Sequence, residues 1–163
     1  MSNYPTISDW MDAVVVSSAE LATTMLGMSG AELISIQKGL PEQENAAYIS
    51  VVGEQSAVQI GVGATPENVQ ILVKALMGMT PEDEDLEADE VTDAFSEITN
   101  ILAGQVKTVI GKKSDIVVNL GIPMFIKGEL HVPESSEVQV AEAKIGDVPV
   151  TFLVMKSVDA GRS

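Results

Sequence analysis

The chain has no cysteine among its 163 residues and a single histidine, His131. Disulfides, thiol nucleophiles and thiolate metal sites are thereby excluded. Histidine-based triads and multi-histidine metal centres are excluded too. Positive charge is also scarce: 9 Lys and Arg stand against 24 Asp and Glu, a formal net charge of −15. Nucleic acid and anionic membrane surfaces want basic patches, so this balance argues against both. It is compatible with a partner that presents a basic residue. No Lys or Arg precedes Lys38, so the N-terminus lacks the basic region of a signal peptide. No apolar run approaches the ~20 residues that cross a bilayer. The expectation is a soluble cytoplasmic protein. Its chemistry must run on carboxylates, amides, hydroxyls, lysines or groups belonging to a partner.

What is present suits one domain: 163 residues with 45% hydrophobic content are ample for a core. A first helix is predicted over about Asp9 to Leu26, with Ser8 as N-cap and Gly27 near its end. Strands are predicted over Leu33 to Gln37, Ala46 to Val52 and Ala57 to Val62, the last two joined by a Gly53-Glu54-Gln55-Ser56 hairpin turn. Thr65-Pro66-Glu67 supplies a cap, a first-turn proline and a first-turn acid for a second helix through about Met77. The acidic stretch 81–90 leads into a long helix expected to end near Gly111. Strands follow over Asp115 to Asn119, Met124 to His131, Glu137 to Ala143 and Val148 to Met155, with a tight turn at Gly146-Asp147. The fold class this implies is α+β, an antiparallel sheet with long helices packed on it.

The long helix carries the most informative stretch, DAFSEITNILAG, residues 93–104. At ~100° per residue, Asp93, Glu97, Asn100 and Gly104 fall within an arc of about 60°. Val91, Phe95, Ile98, Leu102, Val106 and Val109 fall within about 80° on the opposite side, a core-facing stripe. The helix thus shows one flank bearing carboxylates, a carboxamide and a bare patch of backbone. Solvated helix faces are usually crowded with Lys, Glu and Arg, so this composition suits close docking by another macromolecule.

Asp or Ser, three residues, Glu, two residues, Asn, twenty-two residues, then Pro is a pattern here filled by Asp93, Glu97, Asn100 and Pro123. It resembles the signature of the CheC/CheX/FliY chemotaxis phosphatases, and the single filled site makes the chain CheX-like. The resemblance covers essentially the whole of 1–163 as one domain, in pseudo-repeat halves of about 7–79 and 80–157. It implies a phosphatase that hydrolyses phosphoaspartate on a CheY-like response regulator, with Mg²⁺ and an active-site lysine supplied by that partner. No cofactor is expected in this chain. A homodimer, joined through edge strands, is implied as well.

That chemistry fits the residue types. An acyl phosphate is already activated, so placing a water in line with phosphorus is the remaining task, and positioning supplies several kcal/mol. A carboxamide both donates and accepts hydrogen bonds without repelling phosphoryl oxygens, which makes Asn100 the candidate for orienting the water. Glu97, by resemblance, pairs with the regulator's lysine. Asp93 helps by hydrogen bonding or by shaping the docking edge, and Gly104 allows close backbone approach. Pro123 is expected to fix the loop beside the helix.

Placing Glu20 against Glu97 sets Gly27 against Gly104, Thr23 against Asn100 and Val16 against Asp93. The first half keeps a helix but lacks the carboxamide, so one site per chain is expected. The acidic run lacks the glycine and spaced oxygens of an EF-hand and reads as charge favouring a helix start. His131 reads as a surface or packing residue, and Met25, Met28, Met77 and Met79 as core filler and helix-end contacts. The alternative to a phosphatase is a non-catalytic regulator-binding or signalling-assembly module of the same fold.

Overall fold

The computed structural model describes residues 4–37, 45–54, 57–127 and 136–157. Within them the chain runs α1 (Ile7–Thr24), β1 (Ala31–Gln37), β2 (Asn45–Gly53), β3 (Ala57–Ala64), α2 (Pro66–Leu76), α3 (Ala88–Ser114), β4 (Val118–Leu120), β5 (Met124–Lys127), β6 (Ser136–Ile145) and β7 (Val148–Ser157). Every strand pair is antiparallel. The fold is α+β, as the periodicities require.

The seven strands form one sheet in the order β1-β6-β7-β3-β2-β4, with β5 also pairing β2 beyond β4. Two hairpins, β2–β3 and β6–β7, meet at the sheet's centre through the β3–β7 pair. The strand that precedes each hairpin crosses to the other one. β1 pairs β6, while β4 and β5 share the outer side of β2. Gly146, at φ +60°, makes the two-residue reversal between Ile145 and Val148, a backbone region where glycine avoids Cβ strain.

All three helices lie on one face. Trp10, Val14 and Leu21 of α1, Val69 and Leu72 of α2, and Phe95, Ile98, Leu102 and Val106 of α3 are buried there. They join inward-facing strand residues such as Ile49, Ile60 and Phe152 in one core. A smaller apolar cluster of Ala46, Tyr48, Val140, Leu153 and Met155 forms separately from it. Tyr48 lies across its ladder partner Gly61, where an added Cβ would come within 2.4 Å of the ring.

α1 and α3 pack side by side and antiparallel, the Lys113 ammonium near the end of α3 reaching the Asp9 carboxylate at the start of α1 at 3.2 Å. α1 begins two residues earlier than its composition suggested. Thr6, not Ser8, is the N-cap: its hydroxyl accepts from Asp9 N–H at 3.1 Å, and Asp9 accepts from Thr6 N–H at 2.9 Å. That reciprocal box satisfies two helix-end donors at once. The helix stops at Thr24, with Gly27 at φ +65° beyond it.

α3 also departs from expectation, passing through Gly111 to Ser114. Gly111 stays helical, and the left-handed cap falls on Asp115, at φ 54° and ψ 43°. Aspartate is one of the few residues that tolerates that region. The strand expected from Asp115 consequently starts only at Val118. His131, the continuation of β5 beyond Lys127, and Gln55-Ser56 of the hairpin turn lie outside the described residues.

Candidate functional site

The site helix is set by its approach. Lys74 on α2 is only 4% exposed. Its ammonium donates to Pro81 O at 3.3 Å, Asp83 O at 2.7 Å and the Asp85 carboxylate at 2.7 Å. Three donors find three acceptors, the full capacity of an ammonium group. One turn earlier, Gln70 makes a two-way bond with the Leu86 backbone, donating at 3.1 Å and accepting at 3.0 Å. Glu87 N–H then donates to the Glu90 carboxylate at 3.0 Å. The acidic segment is solvent-exposed along most of its side chains, but its backbone is clamped to α2. No signal in the sequence pointed to Lys74; a buried lysine within a helical pattern is legible only once its acceptors are in place.

On α3 itself, Asp93, Glu97 and Asn100 are exposed and Gly104 is partly exposed. Phe95, Ile98, Leu102, Ala103 and Val106 beneath them are fully buried. Asn100 follows Glu97 by about 4.5 Å of helix rise. Within the described residues no hydrogen bond or ion pair occupies the side chains of Asp93, Glu97 or Asn100. By contrast Thr92, Thr99 and Thr108 on the same helix bond back to carbonyls of Ala88, Phe95 and Gly104. The carboxylates and the amide are thus held out to solvent by helix geometry alone, free to meet an incoming group.

Gly104 is informative for what surrounds it. A Cβ built there meets nothing within 4 Å. Glycine inside a helix costs about 1 kcal/mol relative to alanine, and no packing among the described residues recovers that cost. The bare backbone beside Asn100 leaves room for something outside it.

Pro123 enters the same frame through packing. Phe95 and Phe125 meet edge to face, ring centroids 6.0 Å apart and planes at 87°. The chain leaves α3 at Ser114 and returns beneath it, so β4 and β5 run back along the helix. A strand advances roughly 3.3 Å per residue against 1.5 Å for a helix. Two residues short of Phe125, Pro123 falls at roughly the level of Asn100. The twenty-two-residue gap is the chain length needed to finish α3, reverse and come back. Pro123 sits between β4 and β5, where it interrupts the ladder on β2.

The corresponding positions of α1 do not form a similar face. Glu20 and Thr23 are exposed, but the Thr23 hydroxyl is turned onto Ala19 O and Glu20 O at 3.3 and 3.2 Å. Val16, 57% exposed, replaces the outer carboxylate, and Gly27 lies past the helix end. Among the described residues no three Asp, Glu, His or Cys side chains converge as metal ligands would. No described helix is long and apolar enough to cross a membrane.

Comparison with known proteins bears on the family and the fold. Residues 45–144 match the family described as "Chemotaxis phosphatase CheX". No curated protein sequence matches the chain. Among solved structures, chemotaxis protein CheX from Desulfovibrio desulfuricans superposes with a TM-score of 0.75 at 20% identity, over 91% of this chain and 99% of that one. The CheX–CheY–BeF3–Mg²⁺ complex from Borrelia burgdorferi gives a TM-score of 0.69 at 16% identity, over 90% of this chain and 96% of that one. FliY from Thermotoga maritima gives 0.70 at 16% identity, over 94% and 89%. The fold is shared with all three, and the chain belongs to the CheX family.

Proposed function

We propose that this CheX-family chain is a phosphatase that hydrolyses phosphoaspartate on a CheY-like response regulator. The observation that carries the reading is the exposed α3 face on which Glu97, Asn100 and the open backbone at Gly104 stand together without partners. The solved CheX–CheY complex from Borrelia burgdorferi supports the class of partner. The Asn100 carboxamide accepts a hydrogen bond from a water and donates to phosphoryl oxygen, holding the water in line with phosphorus. Water oxygen bonds to phosphorus as the bond to the aspartyl oxygen breaks. Inorganic phosphate leaves, keeping the water's protons, and the regulator's carboxylate is restored. Glu97 pairs with the regulator's lysine and keeps Asn100 in register. Mg²⁺ arrives bound to the regulator, where it neutralises charge on the phosphoryl group. Asp93 borders the docked partner.

The same reading makes the protein cytoplasmic and homodimeric. The outer edge of β1, with Leu33, Ile34 and Ile36 41–52% exposed, is a surface that a second copy could extend. It also treats the two hairpin-centred halves as a pseudo-duplication with one surviving site. The second reading is a non-catalytic regulator-binding or signalling-assembly module, favoured by the fold shared with FliY. Phosphate release from a purified phosphorylated CheY-like regulator with Mg²⁺ separates the two. Acceleration by the wild-type chain, lost in Asn100→Ala with binding retained, supports the phosphatase. Binding without acceleration supports the module.

A further inference from the structure

Between β4 and β5 the register on β2 slips by one residue. Leu120 faces Val51 but Met124 faces Tyr48, so Gly121, Ile122 and Pro123 span the interval of Ile49 and Ser50. Three residues opposite two form a β-bulge at the sheet's edge. In an unbroken ladder residue 122 would stand opposite Ile49, which is buried in the core. The bulge takes it elsewhere: Ile122 is 85% exposed, more than any other large apolar side chain among the described residues.

The bulge is tightly tied. Gly121 N–H donates to Ser50 O at 2.8 Å, and a Cβ on Gly121 would already touch the Ser50 Cβ at 3.4 Å. Pro123 fixes its own φ. A branched apolar side chain is thus held in water on constrained backbone, in a chain of net charge −15.

Its position is the second observation. Ile122 lies three residues before Phe125, which packs on Phe95. That places it roughly 10 Å back along the strand, level with roughly Leu102 on α3. Asn100 and Gly104 bracket that level. A stable interface covers roughly 800 Å² per partner, a patch about 30 Å across. A domain seated over Glu97 and Asn100 therefore reaches the edge strand beside them. Val117, 81% exposed, follows the end of α3, roughly 20 Å along the axis from Asn100, and falls outside such a patch.

We infer that Ile122 is a further docking residue, inserting into an apolar patch on the receiver domain that the Glu97 and Asn100 face takes. The inference rests on the phosphatase reading and deepens it. Glu97 and Asn100 address the phosphorylation chemistry common to receiver domains, and Ile122 selects among receivers by the apolar surface beside it.

The test uses CheY-like receivers from the same genome, loaded with beryllium fluoride and Mg²⁺, titrated against the unaltered chain, Ile122→Ser and Val117→Ser. Phosphate release from the phosphorylated receivers is followed in parallel. Ile122→Ser should raise Kd and KM about tenfold while kcat holds, since a buried apolar anchor is typically worth that much. Ile122→Leu should recover most of the loss, and Val117→Ser should stay within about twofold. Circular dichroism checks that the variants fold, which an exposed side chain permits. Wild-type affinity in Ile122→Ser, or an equal loss in Val117→Ser, overturns the inference and leaves the phosphatase reading standing. An unaltered chain that binds no receiver overturns both.

Discussion

α1 and α3 lie against each other in the same layer and open the two halves of the chain, yet they present opposite surfaces. α3 continues fourteen residues past Asn100 to Ser114 and holds an acid, an amide and a bare glycine on its outer flank. α1 ends at Thr24, directly after Thr23, whose hydroxyl is spent on its own helix. The same amino acid even does different work at the two positions: Gly104 is helical and open, whereas Gly27 makes a left-handed turn. A matching slot in a topology does not make a matching site.

The sharpest way to break this comparison is the amide. Asn100→Ala should lower regulator dephosphorylation about a hundredfold, the usual cost of misplacing a reactant, with binding kept. Thr23→Ala should leave turnover unchanged, and an equal loss there would abolish the distinction between the helices. Glu97→Ala should weaken binding by about 2 kcal/mol, roughly thirtyfold, and Glu20→Ala should not, both read by titration with a receiver.

Both helices open on a reciprocal box, Thr6–Asp9 on α1 and Glu87–Glu90 on α3, but α3 alone adds the Lys74 clamp ahead of it. Lys74→Met leaves the Pro81 and Asp83 carbonyls and the Asp85 carboxylate without their shared donor and should cost about 2 kcal/mol in denaturant unfolding. The glycines should respond with opposite signs. Gly104→Ala should stabilise by about 0.5–1 kcal/mol while impairing receiver binding. Gly27→Ala, forced to a positive φ, should destabilise by about 1 kcal/mol without touching activity. Two shifts of the same sign would show that the glycines are equivalent after all.

The smallest expected effect is at Asp9. Its carboxyl is held below the ordinary value of 3.8, chiefly by the Thr6 N–H and further by the Lys113 ammonium, against a lesser opposing pull from burial. A lowered folded-state pKa adds stability that is present above the unfolded value and lost as pH falls through the folded one. Asp9→Asn should therefore cost about 0.5 kcal/mol at neutral pH, the difference from wild type closing below pH 3.8 in thermal melts.

Much of this was legible in the sequence because local periodicity carried it. The helical stripe of α3 placed Phe95, Ile98 and Leu102 inside and Asp93, Glu97 and Asn100 outside, where the structure puts them. Thr65-Pro66 marked the start of α2, and Gly146-Asp147 marked the last reversal. What stayed hidden depended on neighbours distant in the chain. Gly111 read as a stop, but packing of Ile110 into the core carries the helix past it. Lys74 needed the loop that it grips. The bulge that turns Ile122 outward exists only relative to β2, and no pattern within residues 118–127 announces a register slip. The roles of Glu97 and Asn100 were drawn from a resemblance, and exposure alone does not assign them.

The crossing of strands between the two halves bears on how the chain comes to be folded. Among the described residues β1 pairs only with β6, and the outer side of β2 is completed by β4 and β5. Neither half owns a finished sheet, because each lends its leading strand to the other. During synthesis, the first half emerges with β1 unpaired and one flank of β2 open; β4 and β5 arrive first to fill that flank, but β1 waits until the last hairpin leaves the ribosome. Closure must wait for contacts far apart in sequence, which makes folding slow relative to helical domains of this size. We expect the chain, severed between α2 and α3, to yield two pieces that are each unfolded alone and reassemble when mixed.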